Sequence, residues 1–149
     1  MMTFFVLLQF VLLLFMLFHD WIPVPPLNNI AALKRVDSNR VTPTFINGIT
    51  VLIPLSLTLF YYPSIPLYAA IIITAFYLLI TVGTLLSWWV PYFFDSSQEH
   101  KKRFSKFEDT HHFLPPRGDH VVPNTLHVIL HVEVWLCLII SIYFLTKAI

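Results

Sequence analysis

Charged side chains are confined to a few narrow windows of this chain. The first 18 residues carry no Asp, Glu, Lys or Arg, and neither do the 54 residues from Val41 to Phe94. A third apolar run begins at Val122 and reaches the C-terminus with Glu133 and Lys147 as its only charges. Crossing about 30 Å of hydrocarbon takes roughly 20 mostly apolar residues. The central run holds two such lengths, divided at YYPSIP (residues 61–66), where two prolines in six residues favour a tight turn. The pattern predicts an all-α polytopic membrane protein: a single domain over 1–149, with four transmembrane helices in an antiparallel bundle. The expected spans are about 2–18, 43–62, 65–93 and 122–146, with longer loops at about 19–42 and 94–121.

Composition agrees with that class. The chain is 57% apolar and 11% charged, with mean hydropathy +0.74, whereas a soluble domain carries about 25% charge. A cleaved leader calls for a basic n-region and a small-residue cleavage site. MMTFFVLLQF has no Lys or Arg and LFHDWIPVPP no A-x-A pattern, so the first run is expected to remain as a helix. Cys137, the only cysteine, allows no internal disulfide.

Orientation follows from the basic residues near the spans. Lys34, Arg35 and Arg40 fall in the first loop, and Lys101, Lys102, Arg103, Lys106 and Arg117 in the second; only Lys147 lies at the other end. Both loops are therefore expected in the cytoplasm and both termini on the opposite side, in the plasma membrane if the source is bacterial. Trp21, Trp88, Trp89 and Tyr92 fall at the expected cytoplasmic edge, and Tyr61, Tyr62, Tyr68 and Tyr143 at the other, as interfacial anchors do.

All seven histidines map to the cytoplasmic end. His127 and His131 are four apart on the last span, which stacks them on one helix face. Imidazole shuttles protons near neutral pH and ligates metals in its neutral form. A zinc site needs three or four ligands, so a divalent metal, zinc or iron, would recruit His19 and Asp20, or His111 and His112, beside that pair. For His100 and His120 the plainer expectation is interfacial solvation. Glu133 lies about 15 Å past Pro123 at about 1.5 Å per residue, near the midplane, where a charge costs about 2.5–3.5 kcal/mol. It must be neutral, paired or wet. Two helix positions are about 200° apart, so Glu133 and His131 point in nearly opposite directions; either the groups serve two places, or the last span is surrounded by other helices, as in a homo-oligomer.

Other polar groups suit the bundle interior. Gln9 matches Glu133 in depth, and Thr74, Tyr77, Thr81, Thr84 and Trp88 recur at three- and four-residue steps as one stripe. Asn47, Thr50 and Ser56 add polarity to the second span, whose Pro54 frees a carbonyl. Asn124 or Thr125 suits an N-cap. HKKRFSK (100–106), with Lys101, Lys102, Arg103 and Lys106, could meet anionic lipid headgroups. The RGD at 117–119 falls on the cytoplasmic side and is no adhesion signal there. There is no phosphate-cradling glycine loop, HExxH or G-x-S-x-G, and nucleic acid is not an expected partner. The favoured expectation is a His-rich mouth open to the cytoplasm or inner leaflet, with buried Glu133 deeper, forming a binding or catalytic pocket. Catalysis would fall to His127, His131 and Glu133, and Gln9, Thr81, Thr84, Trp88 and Asn124 would line the pocket. Its ligand would be a metal or a lipid-like small molecule. Two alternatives stand beside it: a small oligomeric transporter of protons, metal or organic cations, and an accessory subunit of a membrane complex.

Overall fold

The computed structural model describes residues 1–36 and 39–149, and every regular element among them is helical. Residues 37 and 38, within the expected first loop, lie outside the described residues. Four elements are long: α1 (Met2–Phe18), α3 (Val41–Phe60), α4 (Leu67–Thr84) and α7 (Thr125–Ala148). α2 (Ile30–Val36), α5 (Val90–Phe94) and α6 (Gln98–Phe104) are short. Three stretches are long and apolar enough to cross a membrane, namely Val41–Phe60, Leu67–Phe94 and Thr125–Ala148, while α1 is a shorter apolar helix of 17 residues.

Helix boundaries sit within a few residues of those expected, and the later starts of α4 and α7 have local causes. Pro66 stands extended before α4, since its ring and missing N–H disfavour a place further along a helix. Asn124, also extended, caps α7 through Oδ1, which accepts from the His127 N–H at 3.0 Å. α7 therefore starts at Thr125 rather than Val122. Between α4 and α5 a π turn spans Leu85–Trp89, with the Val90 N–H bonded to the Leu85 carbonyl. Such one-residue expansions re-aim side chains. Here the turn carries both Trp88 and Trp89 to α7.

The long helices pack in the cyclic order α1, α3, α4, α7, and the α4–α7 seam is the most extensive. Thr3 meets Tyr62 across 3.2 Å and Phe5 packs on Phe144, which gathers both termini and the 61–66 turn at one end. His19, Trp88 and His127 meet at the other end, below the two long loops. α1 and α3 approach closely because residue 48 is glycine: a Cβ there would stand 2.7 Å from Leu17 Cδ2.

Midway along the bundle, the buried Gln9 ties three helices together. Its Nε2 donates to Thr58 Oγ1 at 3.0 Å, and its Oε1 accepts from the Tyr77 hydroxyl at 3.0 Å. Pro54 leaves the Thr50 carbonyl without its helical donor, and the Thr58 hydroxyl donates to the Pro54 carbonyl at 2.8 Å. The stripe on α4 does face inward, with Tyr77, Thr81 and Trp88 all buried. On α7, Ile129, Val132, Leu136, Ile139 and Tyr143 form an exposed apolar strip at three- and four-residue steps, a lipid-compatible face.

Candidate functional site

At the loop end the four long helices border an open cavity of about 360 Å³. Each contributes polar lining: His19 follows α1, Asn47 and Thr50 come from α3, Thr84 from α4, and His127 and His131 from α7. Gly83 also faces it, with nothing within 4 Å of where a Cβ would stand.

The two α7 histidines are held in opposite hydrogen-bonding states. Trp89 Nε1–H donates to His131 Nδ1 at 3.1 Å. An indole nitrogen only donates, so His131 Nδ1 is the acceptor and the ring is neutral, with its hydrogen on Nε2. His127 is the reverse. Its Nδ1 lies 2.7 Å from Asn124 Oδ1, and that oxygen also accepts the His127 backbone N–H while Asn124 Nδ2 donates to Thr110 Oγ1 at 3.0 Å. These partners fix the amide's orientation. His127 Nδ1 therefore carries the hydrogen, and its Nε2 keeps a lone pair. Neither Nε2 has a hydrogen-bond partner among the described residues.

Aromatic rings hold His127 in place: Trp88 lies tilted against it at 4.3 Å, Phe107 edge-on at 4.7 Å and His19 edge-on at 5.6 Å between ring centres. Trp88 is buried in this cluster rather than set among headgroups as an anchor. Trp21 is the exposed one. In chemical terms the cavity offers one acceptor and one donor from neutral imidazoles on neighbouring turns. Such a pair can grip a group that both donates and accepts, or pass protons as base and acid.

The remaining expected site residues fall in several places. Thr84 and Trp88 line the cavity, whereas Gln9, Thr81 and Asn124 are buried outside it. Glu133 is also outside. It is 9% exposed, lies within electrostatic reach of Tyr77 and Cys137, and makes no hydrogen bond or ion pair with any described residue. Gln9, expected as its partner, is engaged with Thr58 and Tyr77 instead.

No three His, Cys, Asp or Glu groups among the described residues converge as metal ligands. His19 and Asp20 stay together at 3.4 Å, near the cavity, but His131 presents a hydrogen rather than a lone pair. His111 bonds Thr125 Oγ1 at 2.7 Å, and His112 donates to the Phe107 carbonyl at 3.0 Å. In all, four histidines donate to main-chain carbonyls, His19 to Phe15, His100 to Ser87, His112 to Phe107 and His120 to Tyr92. All four acceptors belong to helices or helical turns, and the Phe15 and Phe107 carbonyls also accept the main-chain N–H groups of His19 and Thr110.

The loop cap is also charged. Lys101 bridges Asp95 at 2.8 Å and Asp119 at 2.6 Å. Its ammonium holds both carboxyls below the usual range, helped at Asp95 by the Ser96 N–H, and the two carboxylates, Asp119 foremost, raise Lys101 in turn. Lys102 and Arg103 remain exposed, while Lys106 lies over the Phe107 ring. Sequence reasoning missed Trp89 and Phe107; an aromatic pair next to a proline (WWVP, 88–91) was the only local hint. Comparison with protein-family models, curated proteins and solved structures gives no match for this chain.

Proposed function

We propose that this protein spans the membrane four times and uses its loop-end cavity to bind a neutral amphipathic, lipid-like molecule by a hydroxyl or carboxamide head. α1, about 25 Å long at 1.5 Å per residue, completes the set of spans, with the basic loops in the cytoplasm and the termini opposite. The observation that carries the reading is the pair of opposed imidazoles: His127 Nε2 accepts and His131 Nε2–H donates within one cavity. A hydroxyl does both jobs at once. The apolar lining from Met16, Leu79, Ile80 and Leu130 suits a hydrocarbon body. A metal ion is the weaker reading, because the donor set gives it one imidazole lone pair from α7 rather than two.

The test uses detergent-purified protein titrated with 11-bromoundecanol and, separately, 1-bromoundecane, with bromine quenching of Trp88 and Trp89 as the readout. Saturable quenching by the alcohol and only partition by the bromoalkane is expected. One lost hydrogen bond is worth about 1 kcal/mol, so His131→Phe should weaken the alcohol about fivefold or more. Trp89→Phe, which frees His131 to change tautomer, should weaken it less. Equal quenching by both probes, or an unaltered His131→Phe, sinks the proposal.

A further inference from the structure

A second cavity, of about 370 Å³, lies in the cap formed by the loop between α5 and α7. It is separate from the bundle cavity. The partition is one ring thick, because Phe107 lines the cap cavity and packs against His127 and Trp88, which line the other. Its walls are apolar, from Phe104, Phe107, Leu114 and Val121.

Its polar lining has a definite sense. His120 donates Nδ1–H to the Tyr92 carbonyl at 2.8 Å. That leaves Nε2 as an acceptor with no partner among the described residues. Two carboxylates, Glu108 and Asp119, face one ammonium, Lys101, and Lys101 is already bridged to Asp95 and Asp119. An anion would meet no unspent positive group in this lining. A cation would meet an unused acceptor and the exposed Glu108 carboxylate.

From this we infer that the cap cavity is a second ligand site, taking a small organic ammonium on an aromatic or apolar body. Its ammonium donates to His120 Nε2 beside Glu108, and its body lies against Phe104 and Phe107. The site does not depend on the bundle cavity's ligand.

Calorimetric titration of the full chain in detergent with benzylammonium, benzyl alcohol and benzoate tests it. Saturable binding of benzylammonium is expected, about tenfold tighter than benzyl alcohol, with none for benzoate. His120→Phe should weaken benzylammonium about tenfold. Glu108→Gln, at an exposed position that perturbs no packing, should weaken it by about threefold. Thr84→Leu, which fills the bundle cavity, should leave it unchanged. Benzoate binding as tightly as benzylammonium overturns the inference. So does an unaffected Glu108→Gln, loss of binding in Thr84→Leu, or non-saturable uptake that matches empty micelles.

Discussion

Replacing Asn124 by alanine removes one side chain and three kinds of interaction. Asn124 is fully buried at the start of α7. Its Oδ1 caps the helix at the His127 N–H, and a lost cap costs about 1 kcal/mol. Its Nδ2 bond to Thr110 Oγ1 at 3.0 Å adds about 1 kcal/mol; the contact to the Leu27 carbonyl at 3.4 Å is too long to add much. The imidazole Nδ1–H of His127 then loses its acceptor inside an aromatic enclosure, a further cost of about 1–3 kcal/mol. The sum is about 3–5 kcal/mol. Serine is a control, because it still caps but is too short to reach His127 Nδ1 or Thr110, so Asn124→Ser should recover only about 1 kcal/mol. Reversible unfolding in mixed micelles, followed by near-UV dichroism of the packed tryptophans, measures both. Nitrogen NMR of His127 should show the hydrogen leaving Nδ1 in either variant. If Asn124→Ala costs under about 1 kcal/mol, or the serine variant equals wild type in stability and tautomer, the residue is a helix cap and nothing more.

Two further outcomes follow from the mid-bundle knot and the charged cap. Gln9→Leu should destabilise by about 1–2 kcal/mol, since it removes the Oε1 that accepts from the buried Tyr77 hydroxyl and the Nε2 bond to Thr58. Adding Tyr77→Phe should cost less than the sum of the singles in a double-mutant cycle; strict additivity contradicts the knot. In the cap, Asp95 and Asp119 have depressed folded pKa values, so their contribution is complete above the unfolded value near 3.9 and fades as pH falls through the lower folded one. Lys101 is raised, so its contribution is complete below about 10.4 and fades as pH climbs past its folded value. Limited proteolysis of residues 95–121 should therefore accelerate as pH falls below about 4. Equal cleavage rates at about pH 3 and pH 5 contradict this assignment.

How far the sequence was legible depends on the kind of signal. The long helices came through because their signal is long and uninterrupted: 54 uncharged residues broken by YYPSIP give α3 and α4 on either side of a turn. The convergence of His127, His131, Thr84 and Trp88 followed from helix periodicity and shared depth, which act over a few turns. Partner choice was harder to read. Gln9 and Glu133 match in sequence position along their helices, but the Gln amide is turned to Thr58 and Tyr77 and makes no bond to Glu133. Four histidines bond main-chain carbonyls, and for His100 and His120 the partners, Ser87 and Tyr92, lie 13 and 28 residues away, out of reach of any local pattern. The π turn at 85–89 was illegible too. It alters by one residue the register that a 3.6-residue count assumes, and it is what brings Trp89 within reach of His131.

The hydrogen-bonding states at the loop-end cavity thus depend as much on the neighbours of the histidines as on the histidines. HxxxH alone gives two equivalent rings on one face, suited equally to a metal or to proton exchange. Asn124 and Trp89 break that equivalence, since one demands a hydrogen on Nδ1 and the other supplies one to Nδ1. Two metal-ligating rings would each need a lone pair aimed into the cavity, and a Trp indole is an unsuitable second partner for such a ring because it cannot accept. The same indole suits a ring whose task is to donate from Nε2. α7 can carry this pair and Glu133 on nearly opposite sides because α1 and α4 flank it, burying His131 to 1% and Glu133 to 9% exposure. The acid, outside the loop-end cavity, and the imidazoles that line it are consequently separate features of one helix.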